Sequence, residues 1–381
     1  AGRVQTPVLG WIVDRTKKLR EKEELIILKL ENGLDLSFRA SIGTYKKIVE
    51  NGFVEIKDLK IYEEELNPYP PFTTDTLISA LTSALKIDAN EAMQIAQKLF
   101  ESGLITYHRT SSTTVSTVGI NIAKEYISST FGEEWFKGRK WEAEGAHECI
   151  RPTRAIDLQK LKNLIGLKML RFPSPLTEKE LRAYDIIFKR FIASQMKAAK
   201  VEKVKFKLVA ANEEKEFEFI NRIIDEGFTK ILRIQEKKIS GLKEGKVQFL
   251  EINKRVVPKF YPYTYSEIVS IMKEKGIGRP STYAKILEVL KRRNYVREIK
   301  KSTLIATFLG IKVYGFSQQN FNKYLNEETT KMLEEEMDSI EAGKKNFEDV
   351  LREVYSEVKE IIKNGMQRGV KYPNISPEIL N

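Results

Sequence analysis

The chain has 381 residues, 41% of them apolar and 31% charged, a balance that belongs to a folded chain of several units and excludes disorder. Lysine and arginine outnumber aspartate and glutamate by 65 to 53, and the resulting net charge of +12 suits a polyanionic partner without identifying one. No apolar run reaches the roughly 18 residues of a membrane span, and a single cysteine, Cys149, leaves neither an internal disulfide nor a Cys-pair zinc site, so a reducing cytoplasm is the expected compartment.

In chain order, residues 6–23 read as a helix. Thr6 is its expected cap, Pro7 suits its first turn, and Val8, Leu9, Ile12, Val13, Thr16 and Leu19 share one face. Residues 25–30 and 34–38, joined by a Glu31-Asn32-Gly33 turn, read as a hairpin, and two further strands are expected at 53–56 and 59–62. Asn67-Pro68-Tyr69-Pro70-Pro71 breaks the pattern, and residues 73–197 are then mostly helical, including a helix over 91–100 that Gly103 stops. Strand alternation returns at 201–208, 215–220 and 247–252, which makes the helical stretch an excursion from one β unit. The final third reads helix, turn, helix, hairpin and then long helices. In the last helix Phe347, Val350, Leu351, Val354, Tyr355, Val358, Ile361 and Ile362 recur at helical spacing, a stripe expected to be core.

Four segments carry chemistry. In the run from Phe100 to Ser112, a helix stopped by glycine leads to Tyr107, flanked by His108, Arg109 and several hydroxyls. A phenol titrates near pH 10, so nucleophilic attack on a phosphodiester needs positive charge nearby, which would also steady the phosphate oxygens. A core tyrosine beside a surface arginine is the plain alternative among 15 tyrosines. The run from Gly145 to Thr153 sets His147 and Arg151 four apart, on one side if helical, and the chain's two histidines, His108 and His147, fall one in each of these segments. The run from Lys275 to Ala284 makes a constrained Gly-Arg-Pro turn with Ser281 or Thr282 as helix cap. With its neighbouring helices and hairpin it reads as a winged helix-turn-helix whose Lys275, Arg279, Lys285, Arg292 and Arg293 suit a phosphate backbone. The opening Gly2-Arg3-Val4-Gln5-Thr6-Pro7 sets an arginine and a glutamine at a helix N-terminus.

Taken in order, the opening segment, the Pro71-Phe72-Thr73-Thr74 entry and the segments around Tyr107, His147 and Arg279 resemble the successive motifs of type IA DNA topoisomerases. The forms Tyr107-His108-Arg109 and His147-Glu148-Cys149-Ile150-Arg151 are most similar to the reverse gyrase branch, and a composition rich in lysine, glutamate and isoleucine suits its hyperthermophilic hosts. The resemblance implies Tyr107 as nucleophile forming a 5′-phosphotyrosine, Arg109 as its activator and phosphate clamp, and His147 as partner for the scissile phosphate or a proton. It implies Arg3, Gln5, His108, Arg151, Arg279, Ser281 and Thr282 as DNA contacts.

The implied fold is an α+β multidomain toroid. Residues 1–24 and 258–381 would form a helical, winged-helix-like DNA-binding base, 25–70 and 198–257 a β-rich arch, and 71–197 a mainly helical catalytic domain. Family members carry Mg²⁺ on a toprim domain with an Asp-x-Asp cluster, and reverse gyrases add a helicase-like ATPase with a Gly-x-x-x-x-Gly-Lys-Ser/Thr loop. Neither pattern occurs in these 381 residues. The expectation is therefore a fragment or one subunit of a split enzyme that needs a toprim-bearing and helicase-like chain or segment, with single-stranded DNA as substrate. An ordinary relaxing enzyme and a non-catalytic single-strand-binding subunit are the alternatives.

Overall fold

The structure, a computed structural model, describes residues 2–31, 33–141, 147–239, 241–300 and 303–367. Gly145 and Ala146 of the second motif, and the side chain of Ile361, lie outside what is described. In chain order come α1 (Gln5–Lys18), β1 (Lys22–Leu30), β2 (Asp35–Ala40), α2 (Thr44–Asn51) and β3 (Phe53–Leu66). The helices α3 (Thr74–Leu85), α4 (Ala89–Glu101), α5 (Thr117–Thr130), α6 (Leu158–Gly166) and α7 (Glu178–Ser194) follow. The chain then returns to strands β4 (Ala199–Ala210), β5 (Glu213–Asp225), β6 (Gly245–Pro258) and the short β7 (Tyr263–Thr264). Helices α8 (Tyr265–Glu274) and α9 (Tyr283–Arg292), strands β8 (Val296–Lys300) and β9 (Thr303–Ala306), and helices α10 (Phe308–Leu325), α11 (Glu327–Glu341) and α12 (Phe347–Gln367) complete it.

Six strands form one antiparallel sheet in the order β2-β1-β6-β3-β4-β5, so β6 slots between strands that precede it by some two hundred residues. The pairing of β3 with β4 runs out to Leu66↔Ala199, so the chain leaves the sheet for the helices and re-enters it at neighbouring positions. Alternating burial along β1, β2 and β4 packs Ile26, Leu28, Leu36, Phe206 and Leu208 into one core with Ile48 of α2. A second core fills the helices α3–α7, and a third joins α1, α8, α9 and the small sheet β7-β9-β8. Ile78 of α3 and Ala89 of α4 cross over to pack in this third core. The outer side of the large sheet is laced with cross-strand ion pairs: Lys203 reaches Glu64 at 2.5 Å and Glu218 at 2.9 Å, Lys207 reaches Asp58 at 2.9 Å, and Lys205 pairs with Glu216.

Several elements differ from their sequence reading. The first helix ends at Lys18 because β1 begins at Lys22, and Thr6 lies inside it, buried, rather than capping it. The two strands expected between 53 and 62 are one, with a bulge between Lys57 and Lys60 where Asp58 takes a left-handed φ of 52°. The stripe of the last helix is not core: Val350 and Ile362 are buried, but Phe347, Leu351, Tyr355 and Val358 are exposed. Among the described residues no helix is long and apolar enough to cross a membrane.

Gly227 closes the corner where the helices meet the sheet. Its φ is +48°, and a Cβ there would lie 2.1 Å from the carbonyl oxygen of Ala198, at the threshold of β4. Gly227→Ala is expected to cost at least ~2 kcal/mol through strain and displaced backbone, read as a lower midpoint in urea unfolding with unchanged slope.

Candidate active site

Helix α4 starts on the Asp88 carboxylate, which accepts from Glu91 N, and ends at Ser102 with Gly103 left-handed at φ 68°. Beyond it the chain runs extended and is paired on one side with the segment around Arg151. Thr106 N donates to Arg151 O at 2.9 Å, Thr153 N donates to Leu104 O at 3.1 Å, and Ile105 bridges Pro152. The Thr106 hydroxyl donates to Cys149 O at 2.7 Å and accepts from Arg151 N at 3.0 Å. Past Tyr107 the other side is held by Thr74, at the first turn of α3. Its N–H donates to Thr110 O at 2.9 Å; its hydroxyl donates to His108 O at 2.8 Å and accepts from Thr110 N at 2.8 Å.

Extended backbone alternates its side chains. Tyr107 and Arg109 accordingly face solvent, while His108 and Thr110 are buried. The Tyr107 phenol is 44% exposed, edge-on to Phe100 at 5.4 Å and to His108 at 5.6 Å between ring centroids. No carboxylate pairs with Arg109 among the described residues. His147 is also exposed, two residues from the Cys149 carbonyl that takes the Thr106 hydroxyl. The structure thus sets Tyr107 and Arg109 on one open face and brings the His147 segment alongside.

Burial separates other expected site residues from any ligand in this conformation. His108 is fully buried and neither ring nitrogen has a partner among the described residues, so it is no DNA contact here. Arg151 is buried too, and it shares no helix face with His147: residues 147–153 are extended, stitched to Thr114, Phe72 and Thr106. Its guanidinium is consumed by Glu148 in two bonds of 2.6 and 2.9 Å and by Pro152 O at 2.9 Å. Burial alone would raise the Glu148 carboxyl, but Arg151 and Ser116 outweigh it and hold it below its ordinary range. α5 passes so close that a Cβ on Gly119 would lie 2.7 Å from Arg151 Nε. Cys149 is inert, its thiol pushed up to about 12 by burial.

The remaining expected contacts sit on the third core. Arg3 pairs with Glu357 at 2.6 Å, and Gln5 accepts from Arg293 at 2.9 Å. Arg279 reaches Asp338 at 2.7 Å and Glu334 at 3.1 Å. Ser281 is exposed; Thr282 stands at the N-cap of α9, as expected of one of the two, but its hydroxyl makes no capping bond and instead closes the turn by accepting from Arg279 N at 2.9 Å. Thr74 and Glu148 were missed as functional supports. The signal for Thr74 was its place in the Pro71-Phe72-Thr73-Thr74 entry, which sequence alone reads only as a helix start.

The family model described as DNA topoisomerase matches residues 1–352. The chain belongs to the type IA DNA topoisomerases. It is 43% identical over 367 residues to the reverse gyrase of Pyrococcus furiosus and 42% identical over 375 residues to reverse gyrase 1 of Aquifex aeolicus, matches that take in 96% and 95% of this chain. It spans only 30% and 32% of the length of those two relatives. The solved structure of full-length topoisomerase I from Thermotoga maritima superposes with a TM-score of 0.76 at 27% identity, over 96% of this chain and 63% of that one. This α+β chain is therefore the type IA topoisomerase portion homologous to that of reverse gyrases.

The way the Tyr107 segment is held generates two predictions. Thr74→Val keeps the shape but strands the His108 carbonyl and the Thr110 N–H, at a cost of about 1–3 kcal/mol in urea unfolding. Burial, then the Arg109 cation, pushes the His108 imidazole down from 6.5 to about 4, so the folded chain holds it neutral. The unfolded chain takes up that proton near pH 6.5 and the folded one only near 4, so wild-type stability falls across that window on acidification and levels off below it. His108→Phe should remove about 2 kcal/mol of that acid-side loss, seen by comparing unfolding at pH 7 and pH 4.5.

Proposed function

We propose that this chain is the strand-cleaving and rejoining portion of a reverse gyrase. The observation that carries the reading is a half-exposed Tyr107 phenol beside the exposed Arg109, on backbone fixed from both sides. Tyr107 Oη attacks the scissile phosphorus of a single DNA strand as the P–O3′ bond breaks. The phenolic proton leaves to water or a base such as His147, the 3′-oxygen takes up a proton, and the 5′-phosphate stays on the tyrosine. Attack by the 3′-hydroxyl reverses every step, so one ester is exchanged for another with no net redox change. Arg109 offsets the charge on the non-bridging oxygens. Arg3, Gln5 and Ser281, and Arg279 where it is released from its acidic partners, line the path of the backbone.

In this reading the large sheet is the arch, α3–α7 the catalytic domain, and α1 with α8–α12 the base of a toroid. Among the described residues no three His, Cys, Asp or Glu side chains could hold a metal ion. The steps above are those of this chain's own groups; in this reading Mg²⁺ is supplied by a toprim-bearing chain or segment, as ATP is by a helicase-like one, acting together in the cytoplasm. The likeness to the Thermotoga maritima topoisomerase I favours a second reading, a plain relaxing enzyme without the ATPase.

The test supplies the chain with a toprim-bearing partner, Mg²⁺ and an end-labelled oligonucleotide. A label at the 3′ end should migrate with the protein through denaturing electrophoresis, a label at the 5′ end should appear on a shortened free strand, and Tyr107→Phe should lower adduct at least ~10³-fold. DNA binding with no covalent adduct in the complete mixture would sink the proposal. ATP-dependent positive supercoiling by the assembly separates the reverse gyrase reading from the relaxing one.

A further inference from the structure

The helices that carry Tyr107 meet the α1–α8–α9 unit along α3 and α8, and among the described residues three polar links cross that seam. Ser79 and Ser266 share a hydrogen bond of 2.5 Å, Lys291 reaches Asp88 at 3.0 Å, and Lys273 reaches both oxygens of Asp75 at 2.9 and 3.0 Å. The last differs from the others in its position along the chain. Asp75 follows Thr74, the residue whose hydroxyl and N–H hold the backbone on either side of Arg109 and just past Tyr107.

Asp75 is 7% exposed, and it has no helix-capping duty, because Thr73 and Thr76 make the capping box of α3 between them. Its remaining partner is the Thr73 hydroxyl, which donates to Oδ1 at 2.6 Å. Lys273 is thus the one cation paired with this carboxylate among the described residues, and it comes from the other unit. Burial, then the Asp75 charge, pushes the nearby Tyr283 phenol up to about 12. A buried carboxylate deprived of its cation turns to whatever donors are within reach. Here the Thr73 hydroxyl already bonded to it stands at the start of α3, next to the Thr74 that fixes the Tyr107 segment.

We infer that Lys273 and Asp75 are positioning residues, through which docking of α8 on α3 sets the Tyr107–Arg109 backbone in the geometry for attack. The inference rests on the reading of Tyr107 as the nucleophile. Its carrier is a contiguous set of bonds: Lys273 to Asp75, Asp75 to Thr73, then Thr74 to His108 and Thr110.

The experiment is single-turnover cleavage at saturating oligonucleotide in the assay above. Lys273→Met should slow adduct formation about tenfold or more, since small misplacements of a nucleophile cost that much, while the DNA dissociation constant stays within twofold. Lys273→Arg should restore most of the rate, Asp75→Asn should match Lys273→Met, and the double variant should be no slower than either. Lys291→Met removes the other ionic link of the same seam and should leave the rate within twofold. A wild-type rate in Lys273→Met, or an equal loss in Lys291→Met, overturns the inference. Failure of the wild-type protein to form any adduct overturns the reading of Tyr107 itself, and is distinguished by that.

Discussion

A phenol that must meet a large polyanion has to stand in solvent, so no interior partner can hold its hydroxyl in place. Its position must come from the backbone beneath it. In this protein the constraint is met by hydrogen bonds on both sides of Tyr107: Thr106 is tied to Cys149 and Arg151 before it, and Thr74 satisfies the carbonyl of His108 and the N–H of Thr110 after it. A single buried hydroxyl acting as donor and acceptor joins the start of α3 to the end of the segment that follows α4. Much of the remaining architecture serves to keep α3, α4 and the 149–153 strand mutually fixed.

The large sheet contributes through connectivity. Because β3 and β4 pair out to Leu66 and Ala199, the helical unit departs and returns at one place and is anchored there as a body. Its other attachment is the seam with α8 and α9, where Ile78 and Ala89 enter the neighbouring core. The unit is thus held in two ways, by covalent chain at the sheet and by apolar and ionic contacts at the seam.

Local pattern made the candidate nucleophile legible. Tyr107 follows a helix that stops at glycine, and extended alternation from there puts Arg109 on the same face. The same alternation, applied one residue further, buries His108, an inference the sequence permitted but the cluster of polar residues obscured. Arg151 could not be read locally. Four-residue spacing from His147 imitated a helix, but the segment pairs with Thr106 and Phe72, partners some 45 and 78 residues away, and no local window contains them. The stripe on α12 failed for the opposite reason: helical periodicity was right, and what faces it is a tertiary question that spacing leaves open. The β block was legible as strands, whereas β6 lying between β1 and β3 was not.

The ion pairs across β3, β4 and β5 have an electrical consequence. Lys203, Lys205 and Lys207 contribute to the formal excess of positive charge, yet each is answered by a glutamate or aspartate on the neighbouring strand. Affinity for DNA grows with the counterions a surface displaces from the phosphates, and paired lysines displace few. The sheet therefore makes a wall of low adhesion: a duplex brushing along it would find charge everywhere and net attraction almost nowhere, and would slide off as readily as it arrived.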